Sequence, residues 1–214
     1  MMQSCLRVSY TTPKSMHWIT DVLKFLYGKT DEILQTKEFA DDLEEYIEKD
    51  IIQDAVNEYW KSDDQMYRGT QVLNIVFNYL DYLLWKDNKT AYKDFTFDFR
   101  SSVEHFYPQN PKNTAFPKWE EEMPISGKRV REVDQFGNLA LVTGSMNSVL
   151  SNHDPAYKVT EMARKKSNLS IKLQIMSSII SDYKIGDANI MWKDRLCKKH
   201  GEKMLARLRK ALDS

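Results

Sequence analysis

The chain of 214 residues has few of the residues that interrupt helices, with seven glycines and six prolines. This scarcity favours a helical fold over a loop-rich β fold. No apolar run approaches the roughly 18–20 residues that a membrane span needs, and the first ten residues, MMQSCLRVSY, lack the apolar core of a secretory signal. Because 42% of the residues are hydrophobic, the chain can bury a sizeable core. The composition therefore predicts a folded protein of the cytoplasm.

Cysteine is also scarce. Cys5 and Cys197 stand far apart and belong to no Cys-x-x-Cys pair, so we expect reduced thiols and no structural zinc. The chain also lacks a phosphate-binding glycine loop and a dinucleotide-binding glycine motif. Nothing in the sequence predicts that this chain itself binds a nucleotide.

A net charge of zero conceals a charge gradient along the chain. Residues 1–94 carry 11 Lys and Arg against 17 Asp and Glu, residues 95–157 carry 6 against 8, and residues 158–214 carry 14 against 6. A basic end of this kind suggests contact with a polyanion such as nucleic acid. A basic helix face that is simply solvated is the plainer alternative.

The first 92 residues are predicted to form a helical region that precedes a second domain at 93–214. Apolar residues at helical spacing predict helices within 12–29, 37–60 and 69–85. The last of these is almost continuously apolar, which predicts a buried helix. These helices contain no convincing catalytic group.

The second domain begins with a different pattern. In FTFDFRSSV (95–103) phenylalanine recurs at every second position, which predicts a half-buried strand that leads into Glu104 and His105. A long segment rich in proline follows and is predicted to be irregular. The segment NLALV (138–142) predicts a second strand, and Ser145 is predicted to cap the short helix that follows it. Basic amphipathic helices complete the chain.

Four motifs stand in a defined order in this domain: VEHFYPQN, FGNLALVTGSMNSVLSN, AYK and IMWKDRL. This order resembles the HNH group of His-Me finger nucleases, and more closely the HNH-like domain at the carboxyl end of GmrSD-type, modification-dependent restriction endonucleases. The resemblance covers residues 93–214 well, and YTTPKSMHWI and NYLDYLLW are weaker markers before it. It implies a predominantly helical α+β fold in which a small ββα-metal motif is embedded among helices.

The resemblance also implies a reaction, the Mg²⁺- or Mn²⁺-dependent hydrolysis of DNA phosphodiester bonds. His105 is the expected general base, because a histidine side chain has an ordinary pKa of about 6.5 and can take a proton near neutral pH. Glu104 and Asn147 offer the oxygen ligands that Mg²⁺ accepts while it keeps several waters. Asn138 is expected to orient the loop that carries the histidine. A strand-end histidine bonded to a loop carbonyl, and an asparagine that caps a turn, are the structural alternatives.

Further residues are expected to contact nucleic acid. The predicted set is Asn152, Lys158, Arg164, Lys165 and Lys166, which lie on or before the basic helices. Solvated side chains without a ligand are the alternative for each of them.

The resemblance extends to the biological setting, which is prokaryotic defence against foreign DNA. Proteins of this type carry an upstream ParB-like nucleotide-using domain, so we expect this chain to be a fragment of a longer enzyme or to work with such a partner. Cleavage of both strands would need two copies of the site to meet, which leaves a homodimer open. The alternative function is a non-catalytic helical module that binds nucleic acid or protein and retains an HNH-like scaffold.

Overall fold

Helices dominate the computed structural model, which describes residues 1–165 and 168–213. A π-helical stretch, Ile47–Gln53, joins α4 to α5. The helices of the first half are α1 (Met2–Ser9), α2 (His17–Leu26), α3 (Asp31–Leu34), α4 (Lys37–Tyr46), α5 (Asp54–Tyr59) and α6 (Asn74–Asp87). Helix α6 is buried along most of its length, as its continuous apolar sequence predicts.

The second half contains short strands as well as helices, and the prediction of a predominantly helical α+β fold is confirmed. A second π-helical stretch, Trp192–Leu196, leads into the last helix. The elements are β1 (Ser102–His105), β2 (Glu122–Ile125), β3 (Lys128–Arg131), β4 (Leu139–Val142), α7 (Gly144–Leu150), α8 (Pro155–Lys165), α9 (Ile171–Ser181), α10 (Ile185–Met191) and α11 (Cys197–Leu212).

Strands β1 and β4 form an antiparallel pair in which Ser102 faces Val142 and His105 faces Leu139. Helix α7 follows β4 directly, so the order of this unit is strand, strand, helix. Both strands are short, and β4 is buried at all four positions. The unit places His105 at the end of β1, beside the beginning of β4.

A second hairpin, β2–β3, lies in the connection between β1 and β4. This corrects the prediction of an irregular segment there. The turn consists of Ser126 and Gly127, which both have positive φ, of 49° and 77°. A two-residue turn with two positive φ angles suits the twist of antiparallel strands, and glycine adopts it without strain.

The strand predicted over 95–103 is also corrected, because only Ser102–His105 is extended and paired. The segment before it has no partner strand among the described residues. Its conformation depends instead on Arg100, whose buried guanidinium donates to the carbonyl of Asn168 at 2.9 Å. Phe99 is 53% exposed, so the alternating phenylalanines do not define one buried face.

The cap of α7 differs from the prediction as well. Thr143 caps the helix, since its Oγ1 accepts a hydrogen bond from the backbone N–H of Met146 at 3.2 Å. Ser145 lies in the first turn of the helix. The cap therefore lies two residues before the predicted one, directly after β4 ends at Val142.

The largest hydrophobic core contains residues from both halves of the chain. Buried side chains of α1 and α6 pack there with Leu139 and Leu141 of β4 and with Leu208 of α11. A second core lies under the ββα unit and includes Phe106, Met146 and Trp192. The predicted boundary near residue 92 stays a prediction. Across residues 1–165 and 168–213, no helix combines the length and the apolar character that crossing a membrane requires.

Candidate active site

The end of β1 directs two adjacent polar side chains to different partners. Successive side chains of a strand point to opposite faces of a sheet. Glu104 accordingly contacts Lys158 of α8, whereas His105 contacts Asp134 in the turn after β3. The two residues predicted to act together therefore have separate surroundings.

Asn138 holds the backbone that follows His105. Its Oδ1 accepts from the backbone N–H of Tyr107 at 2.8 Å, and its Nδ2 donates to the carbonyls of Tyr107 and Val133, both at 2.9 Å. The indole N–H of Trp192 donates to the same Oδ1 at 3.0 Å. Asn138 is fully enclosed, so it does not contact a substrate. Its hydrogen bonds restrain the loop that carries His105.

The turn that carries Asn138 lies against α11 at very close range. A Cβ atom at Gly137 would come within 3 Å of the backbone of Gly201, so both positions need glycine for this approach. The contact brings the basic helix α11 next to the turn. Trp192, which lies shortly before α11, donates a hydrogen bond to Asn138 across 54 positions of the chain.

The imidazole of His105 bonds to a carboxylate that the sequence analysis did not identify. Its Nε2 lies 2.8 Å from Oδ1 of Asp134. The two side chains are 10% and 11% exposed. Asp134 lies 29 positions after His105 in the sequence, in the turn segment REVDQ. No local pattern connects two residues so far apart, so the sequence did not predict this pair.

Two further side chains hold Asp134. Gln109 donates to Oδ1 at 2.8 Å, and Arg131 donates to Oδ2 from Nε at 2.7 Å. Burial alone would raise the pKa of the Asp134 carboxyl, but the hydrogen bonds from His105, Gln109 and Arg131 outweigh it, and the pKa lies below its ordinary value. Asp134 is therefore ionised at neutral pH.

Glu104 forms an ion pair with a lysine that no solvent reaches. Lys158 Nζ donates to Glu104 Oε1 and to the carbonyl of His105, and the Lys158 side chain is 0% exposed. Burial raises the pKa of Glu104, and the charge of Lys158 opposes this rise. Burial also lowers the pKa of Lys158, and Glu104 opposes that change. The prediction that Lys158 binds a DNA phosphate is wrong for this structure, because its ammonium group is enclosed by the protein.

Two oxygen atoms beside β1 fit the predicted metal chemistry. Glu104 Oε2 accepts no hydrogen bond from the described residues and is not among the enclosed polar atoms. Asn147 lies on α7, which packs against β1, and its half-buried amide also makes no hydrogen bond within the described parts of the chain. Mg²⁺ typically takes one or two protein oxygens and completes its shell with water and phosphate. Within residues 1–165 and 168–213, no group of three or more His, Cys, Asp or Glu suits a metal.

The other predicted nucleic-acid contacts are dispersed. Asn152 is exposed in the turn before α8, and its backbone carbonyl accepts from Lys112 at 2.9 Å. Arg164 is exposed but forms an ion pair with Glu161 at 3.0 Å. Lys165 ends α8, and Lys166 lies outside the described residues. Within the described part of the chain, neither Asn152 nor Arg164 forms a hydrogen bond or an ion pair with His105.

The model of one protein family, described as the C-terminal domain of GmrSD restriction endonucleases, matches residues 50–207. The match covers most of the chain, and the protein belongs to this family. It is therefore a domain related to the nucleases of restriction systems. No curated protein and no solved structure matches the chain.

Proposed function

We propose that this protein is a metal-dependent DNA endonuclease of the HNH type that acts in a prokaryotic restriction system. One observation carries the proposal. In a chain of the GmrSD family, the β1–β4–α7 unit places His105 at a strand end and holds the following loop through Asn138. The proposed reaction is hydrolysis of a DNA phosphodiester bond.

His105 is the proposed general base. It accepts a proton from the water that attacks phosphorus, and a histidine at neutral pH is suited to this transfer. Asn138 acts through the backbone, because it makes three hydrogen bonds to the backbone of Tyr107 and Val133 and accepts a fourth from Trp192. These bonds restrain the loop that carries His105. A base held in this way loses little entropy when the substrate binds.

Glu104 and Asn147 are the proposed ligands of Mg²⁺ or Mn²⁺. Such an ion, when bound, supplies positive charge that stabilises the scissile phosphate and the departing oxygen. Lys158 keeps the Glu104 carboxylate in place through Oε1, which leaves Oε2 as the oxygen for the metal.

The basic face of α11 is the proposed contact with the DNA backbone. Its exposed lysines are Lys198, Lys199, Lys203 and Lys210. Arg209 is exposed too, but it pairs with Asp63. The close approach of Gly201 to Gly137 sets this helix beside the turn that carries Asn138. Lysines of this kind bind phosphates without reading the base sequence. Arg164 and the exposed Asn152 remain further proposed contacts with DNA.

The proposed setting follows from the family. Restriction systems act on foreign DNA in the cytoplasm of prokaryotes, and a ParB-like nucleotide-using domain, in the same polypeptide or in a partner, would license cleavage. A single site cuts one strand, so cleavage of both strands would need a homodimer or successive nicks.

A plasmid-nicking assay tests the proposal. Supercoiled DNA is incubated with Mg²⁺ or Mn²⁺ and the wild-type protein, the His105→Ala variant, or wild type with EDTA. Nicking that requires the metal and falls by on the order of 10²–10⁴-fold in the variant supports the proposed base. Nicking that persists in folded His105→Ala protein overturns the assignment of His105.

Salt dependence of DNA binding separates a nuclease from a module that only binds. Binding through phosphates weakens steeply as salt is added in both cases. Folded protein that binds DNA in this way but nicks none of it, with either metal, contradicts the proposal.

A further inference from the structure

We propose that Asp134 is the positioning residue of the general base: it orients the ring of His105 and holds it in the tautomer that leaves Nδ1 free to accept a proton. This inference rests on the proposed function only for its catalytic consequence. The pairing of the two side chains and the tautomer can be measured without DNA or metal.

The tautomer follows from the hydrogen-bond chemistry. An ionised carboxylate only accepts hydrogen bonds, so the proton shared between Asp134 Oδ1 and His105 Nε2, at 2.8 Å, belongs to the ring nitrogen. In the neutral imidazole the lone pair then lies on Nδ1. This atom has no hydrogen-bond partner among the described residues, and it is not one of the enclosed polar atoms. Nδ1 is the nitrogen that water can reach.

Asp134 is itself held firmly enough to orient another group. Arg131 of β3 approaches Oδ2 with Nη2 at 2.6 Å and with Nε at 2.7 Å, so two nitrogens of one guanidinium hold this oxygen. Gln109 donates to Oδ1 from the loop that follows β1. On the remaining side Gly69, with a φ of 57°, packs so closely that a Cβ atom there would meet Oδ1 at 2.6 Å.

The same arrangement stabilises the product of proton transfer. When Nδ1 takes a proton, the imidazolium faces a carboxylate at hydrogen-bond distance, which favours the charged ring. The charged groups around the ring are Asp134 and Arg131 on the hairpin side, and Glu104 with Lys158 behind the backbone of β1. The last two neutralise one another, so removing Asp134 removes the main negative charge that the ring faces.

The test compares Asp134→Asn with wild type by nitrogen NMR of the histidine-labelled 214-residue chain. The chain has only four histidines, so the signal of His105 can be assigned with His105→Gln. We expect wild type to carry the neutral-ring proton on Nε2. In Asp134→Asn the amide N–H₂ can donate to Nε2, and we expect the proton to move to Nδ1. An unchanged tautomer in the folded variant overturns the inference.

Plasmid nicking at neutral pH supplies the second readout. A base with its lone pair on the wrong nitrogen loses on the order of 10²–10⁴-fold in rate. We expect this loss in Asp134→Asn. A folded Asp134→Asn variant that nicks DNA as fast as wild type overturns the inference.

Glu132→Gln is the matched control. Glu132 lies in the same turn as Asp134, but its carboxylate accepts from the indole N–H of Trp119 at 3.3 Å. We expect neither the tautomer nor the nicking rate to change in this variant. If wild-type protein nicks no DNA, the proposed nuclease function fails, whereas the NMR comparison still decides whether Asp134 positions His105.

Discussion

Lys158 and Lys172 are both enclosed in the protein, but their charges are compensated in different ways. Lys158 of α8 meets the carboxylate of Glu104 and the carbonyl of His105. Among the described residues, Lys172 of α9 donates to neutral groups: the carbonyls of Phe136 and Leu139, on either side of Asn138, and the sulfur of Met176. The two lysines support β1 and β4 at the point where the candidate active site lies.

The difference shows in the protonation of the two amines. Burial lowers the pKa of Lys172 to about 7, and the more distant Cys197 and Asp81 oppose this only in part. Burial lowers the pKa of Lys158 too, yet a carboxylate in direct contact favours its charged form. A carboxylate in direct contact therefore opposes the effect of burial on Lys158, whereas Lys172, among carbonyls, responds to pH near neutrality.

The largest expected effect comes from Lys158→Met, which leaves the buried Glu104 without its partner. We expect the free energy of unfolding at neutral pH to fall by about 3–5 kcal/mol. Urea denaturation measures it. The unpaired carboxyl will hold a proton more readily, so the variant should regain stability as the pH falls. A loss below about 1 kcal/mol would show that the ion pair is dispensable.

The double variant Glu104→Leu with Lys158→Met is the control for this comparison. It removes both charges together, and replacing a complete buried pair by apolar groups is often neutral or stabilising. We expect it to recover most of the stability lost in Lys158→Met. If it is as unstable as the single variant, packing around Lys158 rather than charge explains the loss.

Lys172→Met should cost less, because no opposite charge is left unpaired. The variant removes the ammonium donor from the carbonyls of Phe136 and Leu139, of which Phe136 keeps another donor, the backbone N–H of Leu139. A buried carbonyl that loses its donor costs about 1–3 kcal/mol. Urea denaturation at about pH 8 measures the difference from wild type. A loss as large as that of Lys158→Met would contradict the distinction drawn between the two lysines.

The pH dependence of the same variant isolates the titration of Lys172. Its pKa is lowered to about 7 in the folded protein, so between that pH and its ordinary pKa the unfolded chain binds more protons. Wild type should therefore gain stability from this group as the pH rises above 7, by at most about 1.4 kcal/mol per pH unit. Lys172→Met should lack this contribution, and parallel curves for the two proteins would disprove it.

The smallest effect is expected from Arg129→Gln on the hairpin. Arg129 pairs with Glu122 at 3.0 Å, and the two side chains are 79% and 44% exposed. Exposed ion pairs contribute only about 0–1 kcal/mol. Thermal unfolding should show a shift near the error of the measurement. A large loss would mean that the β2–β3 hairpin is more critical to the fold than its exposure suggests.

Local patterns predicted much of the secondary structure. The apolar run in 74–87 forms the buried helix α6, and NLALV predicted β4 to within one residue. The alternating phenylalanines at 95–99 led to the wrong prediction of a strand there, because an alternating segment forms a strand only where another strand pairs with it. The β2–β3 hairpin was missed although Ser126 and Gly127 form a two-residue turn, since the flanking prolines and charges resemble a loop.

Periodicity and motif spacing are local properties, so the amino-acid sequence was enough to predict the helical character and to identify His105, Asn138 and Asn147 as candidate site residues. Which charged side chains meet depends on the tertiary structure. His105 finds Asp134 across 29 positions, and Lys158 finds Glu104 across 54. Such pairs form because burial makes an isolated charge costly, and that cost depends on the packing of distant elements rather than on neighbouring residues.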